Sequence, residues 1–151
     1  MTTHIVAMGG GGFSQSEGYV ATDLDRFILS LTDAPNPMVC FVPTASGDNG
    51  TYVARFMEAY GHAGAGVRTS VLTLWEGAAE SLRRMDEVDI FLVGGGNTVN
   101  MLALWNAHGV GRKFAAIAAD TSRNVVLAGM GAGGAVWFEG CTTDGFGAGI
   151  Q

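Results

Sequence analysis

Three short apolar runs in this chain end directly in glycine clusters, and that arrangement restricts the possible folds more than any other feature. Ile5-Val6-Ala7-Met8 leads into Gly9 to Gly12, Ile90-Phe91-Leu92-Val93 into Gly94-Gly95-Gly96-Asn97, and Val125-Val126-Leu127-Ala128 into Gly129-Met130-Gly131-Ala132-Gly133-Gly134. Continuous runs of apolar residues rich in Val and Ile and closed by turn residues describe strands buried on both faces. Two further runs complete the set: Met38-Val39-Cys40-Phe41-Val42, closed by Pro43-Thr44-Ala45-Ser46-Gly47, and Ser70-Val71-Leu72-Thr73-Leu74, closed near Gly77.

Helical patterns occupy the intervals. Val53, Phe56, Met57 and Tyr60 follow the i, i+3, i+4, i+7 rule, with Gly61 as a stop. Val20, Leu24, Phe27, Ile28 and Leu31 repeat it ahead of Pro35, and 78–85, 98–106 and 112–119 are further helical segments. Strand alternating with helix predicts an α/β domain, a mostly parallel sheet covered on both faces in three layers. In such a sheet all the strand ends that carry glycines converge on one edge, the edge where open α/β sheets bind ligands. Glycine accounts for 24 of 151 residues, about twice the ~7% usual in globular proteins. Its grouping at strand ends makes it the material of a site rather than of a linker.

Charge and length exclude several classes. Eight Lys and Arg stand against 14 Asp and Glu, a net charge of −6, with no basic cluster to hold nucleic acid or an anionic membrane surface. No apolar run approaches the ~20 residues of a membrane span. Two cysteines, Cys40 and Cys141, make no disulfide framework, and the chain begins without the charged start of a signal peptide, so the expected compartment is the cytoplasm. The length fits one domain over 1–151. No spacing of His, Cys, Asp and Glu describes a metal site.

The glycine turns admit three readings. A dinucleotide site wants G-x-G-x-x-G after the first strand and a carboxylate ending the second. Gly9 to Gly12 supply glycines, but Val42-Pro43-Thr44 supplies no carboxylate, so nucleotide binding is the weakest reading and no cofactor is expected. The turn around Gly131 has the strand, sharp turn and helix layout of a nucleophile elbow, G-x-S-x-G, with glycine at the nucleophile position. The spacing is equally that of a plain tight connection between a strand and a helix running over 132–138.

Taken in order, 5–11, Phe41-Val42-Pro43-Thr44-Ala45-Ser46-Gly47, 89–98 and 127–133 with Trp137-Phe138-Glu139 resemble the peptidase E family of serine peptidases, relatives of cyanophycinase. The resemblance runs from residue 5 to about 146. It implies the class I glutamine amidotransferase-like (flavodoxin-like) α/β fold and a hydrolase, a dipeptidase that cleaves short peptides after an N-terminal Asp. It implies that the nucleophile stands at Gly131 and that the amides of Gly95, Gly96 and Ala132 form the oxyanion hole. Glycine suits that role because bare backbone lets an amide approach a ligand. The acidic partner of the catalytic histidine is expected at Asp144, with Glu139 the other candidate. Asn97, Thr44 and Ser46 are candidates for substrate contact, although Asn97 is equally suited to cap the helix from Thr98.

The histidine itself is expected downstream of Gln151, which would make this a C-terminally truncated form of the family fold. His4 precedes the first strand, and His62 and His108 end helices that run away from the glycine edge. From Thr98 to His108 helix rise alone covers roughly 15 Å. With Gly131 in place of Ser, the chain is expected to be inactive as written. A non-catalytic peptide-binding module is the alternative. Val136, Trp137 and Phe138 are expected to form an exposed apolar patch, so that the chain associates with copies of itself or with another chain, or is poorly soluble.

Overall fold

The computed structural model describes residues 2–144. Five strands form one sheet: β1 (Thr3–Met8), β2 (Met38–Val42), β3 (Arg68–Val71), β4 (Ile90–Val93) and β5 (Val125–Met130), in the order β1-β5-β4-β2-β3. All four pairings are parallel. The helices are α1 (Asp23–Ser30), α2 (Gly50–Gly61), α3 (Ala78–Arg84), α4 (Thr98–His108), α5 (Val110–Ala119) and the single turn α6 (Ala132–Ala135). Among the described residues, no helix is long and apolar enough to cross a membrane.

Alternating side chains of the central strands feed two cores, as the pleat requires. Val39, Phe41, Ile90, Leu92, Val126 and Ala128 pack with Ile28 of α1 and with Phe56 and Tyr60 of α2. Cys40, Val42, Phe91, Val93, Val125 and Leu127 pack on the opposite face with Met101, Trp105, Phe114 and Ile117 of α4 and α5. The result is the three-layer α/β arrangement expected from the alternation of strand and helix.

Four local expectations are corrected. The third strand ends at Val71, not Leu74. Leu72 and Leu74 are buried by the turn that follows, in which Leu72 N–H still donates to Phe41 O (2.9 Å). The fifth strand runs on through Gly129 and Met130, which pair with Ala7 and Met8 of β1. The first strand is not buried on both faces: it is bonded only to β5 among the described strands, Ile5 is 57% exposed, and His4 stands inside it. The helix after Gly131 stops at Ala135 instead of reaching Phe138.

Two helices also turn differently from their apolar stripes. In α1 the buried positions are Asp25 and Ile28, while Leu24 and Phe27 are exposed. Asp25 is drawn inward because its carboxylate accepts from Thr22 N–H (2.7 Å), Thr22 Oγ1 (2.8 Å) and Tyr60 Oη (2.9 Å). Three donors stabilise a charge that would otherwise be costly to bury. In α2 Met57 is exposed and Ala59 takes its place in the core. The apolar patch expected at 136–138 is smaller than its composition suggests. Trp137 packs edge-on against Phe114 (5.3 Å between ring centroids), Val136 is partly buried, and only Phe138 is largely exposed.

Candidate active site

β5 ends where Gly131 N–H donates to Met8 O (3.0 Å), the last bond of the β1–β5 ladder. The chain then reverses within one residue. Gly131 has φ 58° and ψ −121°, a backbone conformation that side-chain-bearing residues rarely adopt, and its carbonyl accepts from Gly134 and Ala135 N–H (3.0 Å each) to open α6. The flanking glycines are required by contact. A β-carbon on Gly129 would lie 2.0 Å from Gly133 O, and one on Gly133 would lie 2.1 Å from Val93 O. At Gly131 the corresponding position is open, with Gly95 Cα at 3.6 Å as the nearest atom.

Gly131 lies on the wall of a cleft of about 470 Å³ at the carboxyl edge of the sheet. The other walls come from Gly9 and Gly10 after β1, from Ser14 and Gln15, from Asn49, Tyr52 and Arg55 at the start of α2, from Gly95 after β4, and from Met130. The segment after β1 is pinned by Phe13, which is fully buried against the rings of Phe41, Tyr52, Phe56 and Tyr60. Asn49 caps α2 by accepting from Tyr52 N–H (2.9 Å). That cap brings the amino end of the helix, with its positive dipole, to the cleft.

Tyr52 spans the floor. Its hydroxyl donates to Met130 Sδ (3.1 Å) and accepts from Gly95 N–H (3.4 Å). Burial pushes its ionisation above the ordinary tyrosine range, partly offset by hydrogen bonds donated by Gly95 and Ser14. Ser14 Oγ reaches the same sulfur (3.3 Å). A phenolic oxygen thus occupies an amide donor of the β4 turn, and this polar cluster faces Gly131 across the cleft.

Of the residues singled out in the sequence, Gly95 and Gly131 meet at the cleft. Gly96 adjoins Gly95, is exposed and has φ 146°; Ala132 is buried at the first position of α6. Thr44 is buried, and its Oγ1 accepts from Trp105 Nε1 (3.2 Å). Ser46 Oγ donates to Pro43 O (2.9 Å). Asn97 caps α4, its side-chain oxygen accepting from Asn100 N–H (2.9 Å). None of these three lines the cleft, and neither do Glu139 and Asp144, which are exposed. His4, His62 and His108 lie in β1, after α2 and at the end of α4 respectively, none of them lining the cleft.

The sequence reading missed Tyr52 and Arg55 as cleft residues. Their signal was available: Asn49, Tyr52 and Arg55 recur every third residue from the start of a helix that follows a strand's carboxyl end. The apolar stripe Val53-Phe56-Tyr60 defined one face of that helix and left the other unread.

The profile of peptidase family S51 matches residues 5–151. "Uncharacterized peptidase YgaJ" of Bacillus subtilis (strain 168) is 39% identical over 142 residues, covering 93% of this chain and 58% of the relative. Among solved structures, a "Putative Peptidase E Protein" from Listeria monocytogenes EGD-e superposes with a TM-score of 0.59 at 18% identity, over 87% of this chain and 58% of that one. The last match concerns the fold alone. The chain therefore spans a little under three fifths of the length of each of these relatives.

Proposed function

The chain belongs to peptidase family S51, and from that membership we propose that its cleft is a serine-type peptidase site carrying glycine at the nucleophile position, so that it binds short Asp-containing peptides without cleaving them. The observation that carries this reading is Gly131: a one-residue reversal at the carboxyl end of a buried strand, with its side-chain direction open toward the cleft and Gly95. A serine in that position would hold its hydroxyl over the ligand, at the place where a G-x-S-x-G turn presents its nucleophile.

The remaining parts follow from the backbone. The amides of Gly95, Gly96 and Ala132 are assigned to receive the carbonyl oxygen of a bound peptide, the stabilisation that acyl transfer needs as charge develops. Asp144, with Glu139 as the other candidate, is assigned the acidic role. Without a hydroxyl at 131 no acyl intermediate can form, and what remains is positioning and oxyanion stabilisation. In serine hydrolases stripped of their triad that remainder is worth roughly 10³–10⁴-fold over water. Among the described residues, no imidazole lines the cleft to activate a water in its place.

Calorimetry with aspartyl dipeptides, combined with product analysis, tests the reading. Saturable binding with no released amino acid is the expected result. Turnover at the rate of an ordinary peptidase, or labelling by a serine-directed phosphonate, would overturn it.

A further inference from the structure

From the charge distribution around the cleft we infer that Arg55 is the specificity residue of this site, the cation that pairs with a carboxylate of the bound peptide. The inference rests on the peptide-binding reading above and adds to it the group that the site recognises.

Among the described residues that line the cleft, Arg55 is the only one with a formally charged side chain. The other walls are glycine backbone, Ser14, Gln15, Asn49, Tyr52 and Met130. This is an unusual place for a cation in a chain with eight Lys and Arg against 14 Asp and Glu. Elsewhere Arg26, Arg83, Arg84 and Lys113 each pair with a carboxylate. Arg68 and Arg123 donate to the backbone carbonyls of Asn36 and Val88. Like Arg112, which does not line the cleft, Arg55 forms no ion pair with any carboxylate among the described residues, although an excess of carboxylates is present.

What Arg55 does have is a support. Its guanidinium carbon sits 3.9 Å from the centroid of the Tyr19 ring, a cation–π contact that fixes the planar group and leaves its N–H edges free to meet a ligand. Tyr19 reaches that place with φ 53°, in the left-handed region where a bulky residue is uncommon. Backbone strain of that kind persists where the surrounding structure holds it. Here it sets a ring beneath the one charge of the cleft.

The chemistry selects the ligand. A fixed guanidinium matches a carboxylate with two parallel N–H···O bonds. The amino end of α2, three residues before Tyr52 in the same wall, adds positive potential of the same sign. The net charge of −6 would otherwise repel an acidic peptide. A local cation stacked on Tyr19 reverses that sign where the ligand binds.

A short peptide can bring the carboxylate from an acidic side chain or from its C-terminus, and four dipeptides separate these sources: Asp-Leu and Asn-Leu, each as free acid and as C-terminal amide. Binding of each to the unmodified chain, to Arg55→Gln and to Arg55→Lys is measured by calorimetry, with thermal melts confirming that the variants fold. Arg55→Gln should weaken binding of peptides carrying the recognised carboxylate by about tenfold or more, in line with the loss of a charged hydrogen bond. It should leave Asn-Leu amide unaffected, and Arg55→Lys should recover part of the loss. Added salt should weaken the unmodified chain more than Arg55→Gln. Equal effects on all four peptides, or none, with the unmodified chain still binding, would overturn the assignment of Arg55 and leave the peptide cleft standing. Failure of the unmodified chain to bind any of the four would overturn the cleft reading itself, and the role of Arg55 with it.

Discussion

A β-carbon built on Gly131 would stand 3.6 Å from the α-carbon of Gly95, ordinary van der Waals contact, whereas the same atom on Gly133 would stand 2.1 Å from the carbonyl oxygen of Val93. Three glycines of one turn are therefore glycine for different reasons. Gly129 and Gly133 have no room for a side chain. Gly131 has room but an unfavourable φ of 58°.

Substitution should separate the two causes. Gly131→Ser is expected to fold and to lose about 1–3 kcal/mol, the cost of a side chain in a sparsely allowed backbone region. Gly129→Ala and Gly133→Ala should lose about 4 kcal/mol or more, because backbone must move to admit the methyl group. Urea denaturation of the three variants checks the order. A Gly131→Ser variant that is destabilised as much as Gly133→Ala would contradict the open cleft position.

The chemistry at residue 131 gives a second prediction. The unmodified chain should not be labelled at residue 131 by a serine-directed phosphonate, because it has no hydroxyl there. Gly131→Ser in this same chain should also label slowly, since His4, His62 and His108 all lie away from the cleft and no imidazole is in place to take the proton. Intact-protein mass spectrometry reads both results; rapid labelling of the variant would mean that another group near the cleft serves as base.

Tyr52 should act as a competitor for Gly95. Its hydroxyl accepts from the Gly95 amide that a ligand carbonyl would use. Tyr52→Phe removes that acceptor along with the bond to Met130, so the fold should lose about 1 kcal/mol. Peptide binding should nevertheless become tighter, with a larger shift of the Gly95 amide resonance on titration. Weaker binding would instead make the hydroxyl a direct ligand contact.

Alkaline pH should destabilise the fold through Cys40. Burial pushes its thiol from 9.0 up to about 11, offset in part by the Ser70 hydroxyl and the Leu72 backbone. A thiol whose pKa is raised in the folded state favours folding fully below pH 9. That contribution is lost as pH rises through about 11, because the unfolded chain releases its proton first. Tyr52 and Tyr60 are shifted in the same direction, the first by burial and the second by burial and the Asp25 charge, so they extend the loss above pH 10. Cys40→Ala should flatten the fall in melting temperature between pH 9 and 11. In the native protein a maleimide should react at the exposed Cys141 and reach Cys40 only on unfolding.

How much was legible depended on whether the relevant force acts along the chain or across it. The strands at 38–42 and 90–93 have the bounds their apolar runs predict, because a strand buried on both faces needs apolar residues at every position and nothing else in the chain produces that run. The fifth strand was read two residues short. Gly129 and Met130 look like turn residues locally, and they extend the strand only because β1 offers them partners. In α1 the apolar stripe placed Ile28 in the core correctly but left Leu24 and Phe27 exposed, since Asp25 is drawn inward by contacts that include the hydroxyl of Tyr60, across 35 positions of chain.

The sequence by itself determined the class of fold, the edge of the sheet on which the glycine turns gather, and the absence of a side chain at residue 131. These are consequences of strand periodicity, parallel connection and residue identity, all of which are local. Only the tertiary structure decided that Tyr52 and Arg55 share a cleft with Gly95 and Gly131, that Thr44 is committed to Trp105, and that Gly131, unlike Gly129 and Gly133, faces open space. Most of those outcomes depend on packing between segments far apart in the chain, through distances that no spacing rule along it encodes.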